Sequence, residues 1–284
     1  MEKFNIKKKK LNTKSITEIK AHRENREDLY SFLYNFVKNI TNRSNCLMPS
    51  FENFNSDNKD TSSNTYLQTS NGLYISSLVT CWETFFRDLF IFLVEEDADI
   101  QERVFKLFKE KQIEISNEDY SMAELASKQF NFQNLEDTCT ALNFLFNKNK
   151  TNITSFIYPA LKNTTYIFSE LNYFLHLTHE KKDVATELYK VLVKAFDIRH
   201  KVIHDANFYP TLSLNELKII EDCFVIFPQI LASWVAKIYN LKNFVYSDHL
   251  NALTLKQGIA KGENIYIFSI YDVTKAVFTV SDHN

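Results

Sequence analysis

The chain has 284 residues, 45% of them hydrophobic and 14% aromatic, with a formal net charge of −2. These values exclude a disordered chain and a globally basic nucleic-acid binder, so any surface for nucleic acid has to be local. Three glycines and four prolines in the whole sequence point to long helices with few turns at positive φ.

The N-terminal MEKFNIKKKK has no apolar centre, so it does not read as a secretory signal, and Lys7 to Lys10 read as a solvated arm. A helix is predicted over 15–45, with Ile16, Ile19, Leu29, Phe32, Leu33, Phe36, Val37 and Ile40 at core-facing steps. From 46 to 71, Asn, Ser, Asp and Thr with one Pro give loop chemistry. The clearest helix follows at 73–96, where Ile75, Leu78, Val79, Trp82, Phe85, Phe86, Leu89, Phe90 and Leu93 form a wide apolar face. Glu83 and Arg87 stand four apart beside that face, the spacing of an intrahelical ion pair. Shorter helical patterns lie at about 100–112, 119–128 and 134–147, and 149–183 is less regular.

A long helix is expected over about 184–205, broken by Pro210. Ser213 and Glu216 then have the spacing of a capping box, opening a helix that should kink at Pro228. Past 244 the character changes. ENIYIFSIYDV and AVFTVSD are rich in strand formers, and two of the three glycines, Gly258 and Gly262, are here. The domain reading is an N-terminal helix with a polar loop at 1–69, a helical domain at 70–244 and a small strand-containing tail at 245–284. The four cysteines are scattered without a CxxC pair, which points to free thiols, with Cys81 and Cys223 in helix cores, and to a reducing compartment. The apolar runs at 89–94 and 225–239 are too short or too interrupted to span a bilayer, so a soluble, cytoplasmic protein is expected, with no membrane partner.

One stretch stands out, AFDIRHKVIHDANF at 195–208. Val184, Leu188, Val191, Leu192, Ala195 and Phe196 make an apolar helical stripe. Its next position is Arg199, after which Val202, Ile203 and Ala206 are expected to resume the apolar face. A cation at such a seam is costly unless it meets an anion, either a carboxylate of the fold or a phosphate from outside. His200 and His204 are four apart, and His176 and His179 three apart upstream. HxxxH alone is a weak metal pattern, and Lys201 occupies the place of the glutamate in a metalloprotease HExxH, so neither metal nor cofactor is expected. His22, His249 and His283 belong to no constellation and read as surface residues. Seen as a purely structural feature, Arg199 would be a buried ion-pair partner, for instance of Glu83, and His204 a helix-end histidine facing carbonyls.

The run Arg199-His-Lys-Val-Ile-His204 resembles the R-x4-6-H motif of the HEPN superfamily, down to a polar residue after the Arg and two aliphatics before the His. LVTCWETFFRDLF at 78–90 is similar to the early helix with a Trp-Glu pair in the HEPN group linked to RiboL-PSP proteins, and the resemblance covers roughly residues 70–240. It departs where many relatives carry a glycine two or three positions beyond the His, since Asp205-Ala-Asn207 follows here.

The resemblance implies an all-α HEPN-type helical bundle, here with an N-terminal helical extension and the strand-containing tail. It implies a metal-independent endoribonuclease, a toxin or phage-defence effector, with Arg199, His200 and His204 catalytic and Glu83, Lys201 and Asp205 binding or orienting the substrate. The chemistry fits the residue types. RNA carries its own nucleophile in the 2′-hydroxyl, so cleavage needs a proton carrier and a cation for the phosphate, roles for an imidazole and a guanidinium. A five-residue spacing turns two helical side chains about 140° apart. One helix therefore makes a poor site, and the resemblance implies two HEPN units, as a homodimer or a HEPN-paired complex, lining one cleft. The other reading is a non-catalytic HEPN module for binding or assembly, and an antitoxin or sensor partner fits either.

Overall fold

The computed structural model describes residues 13–25, 32–55, 65–111, 120–148, 156, 166–168, 177, 183–248, 252–261 and 263–268. Among them the protein is mostly helical, with a small sheet towards the C-terminus. The helices are α1 (Thr13–Asn25), α2 (Phe32–Asn55), α3 (Thr65–Glu96), α4 (Ala98–Lys111), α5 (Met122–Ser127), α6 (Leu135–Leu145), α7 (Val184–His204) and α8 (Leu214–Ile238). The strands are β1 (Tyr166–Phe168), β2 (Lys242–Ser247), β3 (Ala252–Gln257) and β4 (Glu263–Ile267).

Two compact units divide the chain, one of Met1–Phe32 with Glu83–Ile153, the other of Leu33–Trp82 with Thr154–Asn284. The division falls inside α3, between the Trp and the Glu of the Trp-Glu pair, and the sheet belongs to the same unit as α7 and α8.

In the first unit α1 buries Ile19 and is tied down by polar side-chain contacts. The Arg23 guanidinium grips both carboxylate oxygens of buried Glu124, with Nε 2.8 Å from Oε1, and His22 Nε2 lies 3.0 Å from Asp88. His22, expected at the surface without a constellation, is thus a half-buried hydrogen-bond partner of Asp88, a contact no local pattern reveals. Glu124 also closes a capping box with Ser121 at the start of α5. Phe32 packs on Phe85 and Phe92, and Phe90, Phe130, Phe132 and Phe144 form a second aromatic group. The Arg103 guanidinium donates to the Leu145 carbonyl at 2.6 Å, satisfying an acceptor at the end of α6.

In the second unit the core is built around Trp82, fully buried and stacked on Phe227 at 5.3 Å between centroids, with Phe224 at 5.3 Å and Phe196 at 5.7 Å. α8 opens at the expected Ser213–Glu216 capping box and runs on through Pro228. The span Asn215–Ile238 is long and apolar enough to cross a membrane, contrary to the interrupted run read from 225–239, but its most apolar stretch is mostly buried inside the fold, as in a core helix. Cys81 and Cys223 are buried free thiols, and burial pushes Cys81 up to about 11.

The sheet order is β1-β4-β2-β3, with β2 antiparallel to β3 and β4, and β1 parallel to β4 through Tyr166↔Ile265 to Phe168↔Ile267. The strands past 244 were expected, although β2 already begins at Lys242; AVFTVSD at 276–282 lies outside the described residues. The strands are tied into the helical core. The buried Gln229 amide of α8 donates to the Phe268 carbonyl at 2.9 Å and accepts the Phe268 N–H at 3.0 Å, pairing with that backbone as a neighbouring strand would.

Two helices exceed their predicted limits. α2 continues through Pro49 to Asn55, where Leu47, Phe51 and Phe54 keep the three- and four-residue spacing of Val37 and Ile40 in the sequence, and α3 begins at Thr65 rather than near 73. The polar, proline-containing composition masked that spacing.

Buried Glu221 of α8 carries a stability prediction. Burial pushes its carboxyl up to about 7, Asp222 adds to the rise, and the Tyr74 hydroxyl and Lys218 oppose it. In the unfolded chain the group ionises near its ordinary value of about 4.3, so between there and 7 the folded state holds the extra proton. Its contribution to stability is therefore present at acid pH and is lost as pH rises towards 7. Glu221→Gln removes that loss and should raise unfolding stability at pH 8 by up to about 3 kcal/mol, with little change at pH 4. Urea unfolding of both proteins across this range checks it; parallel pH profiles would show that Glu221 ionises normally.

Candidate active site

α7 is capped at its N-terminus by Asp183, whose side chain accepts the Thr186 N–H at 3.2 Å. Leu188, Leu192, Ala195, Phe196 and Ile198 are buried. The apolar stripe then gives way. Arg199 and Val202 are half-buried, while His200, Lys201 and His204 are exposed. Ile203 and Ala206, expected to resume the apolar face, do not: Ile203 is 50% exposed and Ala206 is exposed beyond the helix. For Ala206 the reason is local, since α7 ends at His204 and Asp205 has extended backbone, so the 3.6-residue period no longer applies; Ile203 is still helical, and the end of the helix does not account for its exposure.

Helix geometry accounts for the division among the motif residues. Arg199 lies on the half-buried side of the last turns and His204 on the solvent side, as a five-residue step dictates. His204 has His200 beside it instead, with ring centroids 4.6 Å apart at 53°. The solvent face of α7 thus presents two adjacent imidazoles, with half-buried Arg199 one turn back from His204.

The flanking residues have local tasks. Lys201 Nζ lies 2.7 Å from Asp197, an exposed i,i+4 pair worth a few tenths of a kcal/mol (about 0.3–0.5), and 5.6 Å above the Phe208 ring. Asp205 closes the turn after the helix. Its N–H donates to the Lys201 carbonyl at 2.8 Å, its carboxylate accepts the Asn207 N–H at 2.9 Å, and its carbonyl accepts the Phe208 N–H at 3.1 Å. That side-chain bond lets the turn form without a glycine. Lys201 and His204 in the last turn also suit the negative end of the helix dipole.

Glu83 belongs to the other unit, where its two carboxylate oxygens are engaged, one by the Arg87 guanidinium in the expected intrahelical pair and one by the Gln133 side-chain amide. The i,i+4 spacing shows the first partner; Gln133 lies fifty residues on and leaves no local signal. Asp197 could have been read as Lys201's partner from the same spacing rule. Gly72, also unremarked in the sequence, is packed against Val202 beneath the last turn of α7.

His176, His179, His249 and His283 lie outside the described residues, and among the described ones no three His, Cys, Asp or Glu side chains are grouped as metal ligands would be. Comparison of the chain with protein-family models, with curated proteins and with solved structures found no match.

Proposed function

We propose that the protein is a HEPN-type, metal-independent endoribonuclease whose site is the Arg199–His204 turn. The observation that carries the reading is the end of α7, where the imidazoles of exposed His200 and His204 lie side by side and half-buried Arg199 stands one turn back from His204. In the reaction, the 2′-oxygen of the RNA attacks the adjacent phosphorus and the bond to the 5′-oxygen breaks. An imidazole, His204 first, takes the 2′-hydroxyl proton, a proton is returned to the leaving 5′-oxygen, and the Arg199 guanidinium stabilises the charge on the phosphoryl oxygens. The products are a 2′,3′-cyclic phosphate and a 5′-hydroxyl.

Because Arg199 and His204 diverge on one helix, the site is completed by a second HEPN unit, in a homodimer or a paired complex. Tyr189 and Val193, exposed on the same helix, with Ile203, provide apolar surface for such pairing. They favour a second reading as well: a non-catalytic HEPN module in which α7 is an assembly surface for a protein partner such as an antitoxin or sensor. The cleaving enzyme is the reading that uses the exposed histidines, and a toxin or defence effector is the role that suits it.

The test is incubation of purified protein with RNA and with DNA of the same sequence, with and without EDTA. RNA should be cut to 2′,3′-cyclic phosphate and 5′-hydroxyl ends, DNA should survive because it lacks the nucleophile, and EDTA should leave the rate unchanged. Loss of cleavage with EDTA would move the chemistry to a metal site. Binding of RNA without cleavage would leave the assembly module.

A further inference from the structure

We propose that Gly72 is a positioning residue for the candidate site: its missing side chain lets the last turn of α7 seat against α3, fixing the direction in which Arg199, His200 and His204 leave that turn. The proposal deepens the reading of this turn as the reactive one, and its geometric part stands without it.

Gly72 is buried and lies inside α3, eight positions into a 32-residue helix. Glycine is a poor helix former, and this chain of 284 residues uses only three. The backbone does not ask for one here, since among the described glycines only Gly258 has positive φ. What asks for it is space. A Cβ at position 72 would lie 2.8 Å from Val202 Cγ2, 3.3 Å from Val202 Cγ1 and 3.3 Å from Pro210 Cγ. The first distance is shorter than carbon atoms tolerate, and the other two are tight.

Neither neighbour can turn aside cheaply. Val202 is β-branched and held to essentially one χ1 rotamer on a helix, and the Pro210 ring is closed on its own backbone. An added methyl therefore pushes on the backbone carrying them, which is the last turn of α7 and the chain just after it. Val202 is three residues from Arg199 and two from both His200 and His204, so a shift there reorients all three. Pro210 lies on the far side of the Asp205 turn, which places both ends of that turn against the same glycine.

The experiment compares wild type, G72A, V202A and G72A/V202A as full chains, reading the imidazole Cε1–Hε1 NMR signals of His200 and His204 and the rate of RNA cleavage. G72A should shift both histidine signals and lower kcat for cleavage roughly tenfold or more, with a smaller change in KM, the pattern of misplaced reacting groups. The double variant, in which the Val202 methyls that meet the new Cβ are gone, should return signals and rate to those of V202A. Should G72A fail to fold, the double variant should still fold and show V202A-like signals. Unchanged histidine signals in G72A, or a double variant as disturbed as G72A, would overturn the proposal. A wild-type protein that cleaves no RNA would overturn the nuclease reading alone, because the histidine signals still report whether Gly72 sets the turn.

Discussion

His204→Ala should lower the rate of RNA cleavage by about 10²–10⁴-fold, the contribution of a positioned proton carrier, while leaving the protein folded. The second half of that expectation comes from the structure. His204 is exposed at the last position of α7 and contributes nothing to the apolar core, so the stability change should stay within about ±0.5 kcal/mol, as for an ordinary surface substitution. Arg199→Ala should cost about 10²–10³-fold, by comparison with removal of one donor to a developing oxyanion. Lys201→Ala should cost less than either, because Lys201 is already occupied by Asp197 and the Phe208 ring on its own helix end. Single-turnover cleavage of a labelled RNA, with circular dichroism of each variant, separates loss of chemistry from loss of fold. A folded His204→Ala protein that cuts at the wild-type rate would remove the imidazole from the mechanism and favour the assembly module.

α7 was readable almost to the residue, 184–205 expected and Val184–His204 observed, because its signals are local: a regular apolar stripe and Pro210 beyond the end. The same holds for the capping box that opens α8. What escaped depends on partners distant in the chain. β1 is three residues long and exists through its pairing with β4, and the strands past 244 are joined to α8 by Gln229. The α2 extension through Pro49 ran against composition, since one proline among Asn and Ser outweighs a sparse apolar spacing. At the site, Arg199 and His204 were legible as residue types at a spacing, and their divergence followed from helix geometry. The exposure of Ile203 was not, because it is helical and at a regular core-facing step, and whether anything packs over that last turn leaves no local signal. Gly72 stood where loop chemistry was expected to hand over to helix, the usual place for a glycine. Only the observed start of α3 at Thr65 shows that it sits mid-helix, where a glycine needs another reason.

Trp82→Ala should destabilise the protein by about 3–5 kcal/mol, the cost of removing a large aromatic side chain from a core that relaxes only in part. Trp82 has no exposed surface and touches three aromatic rings, stacked on Phe227, tilted on Phe224 and edge-on to Phe196. Losing it forfeits burial of the indole and three ring contacts, each such aromatic pair adding roughly 0.5–1.5 kcal/mol beyond its area. No neighbour can fill the space cheaply, because Phe196, Phe224 and Phe227 are themselves buried and fixed on α7 and α8. Phe196 lies three residues before Arg199 on the same helix, so the cavity opens one turn below the motif. Activity should therefore fall along with stability, in contrast to His204→Ala, where activity falls and stability does not. Trp234→Ala is the matched comparison: Trp234 is half-buried, and its replacement should cost clearly less. With only two tryptophans in the chain, urea unfolding followed by circular dichroism rather than fluorescence gives both variants the same probe. A Trp82→Ala cost below about 1.5 kcal/mol, or one no greater than that of Trp234→Ala, would show that the ring cluster under α7 is not the centre of this unit's core.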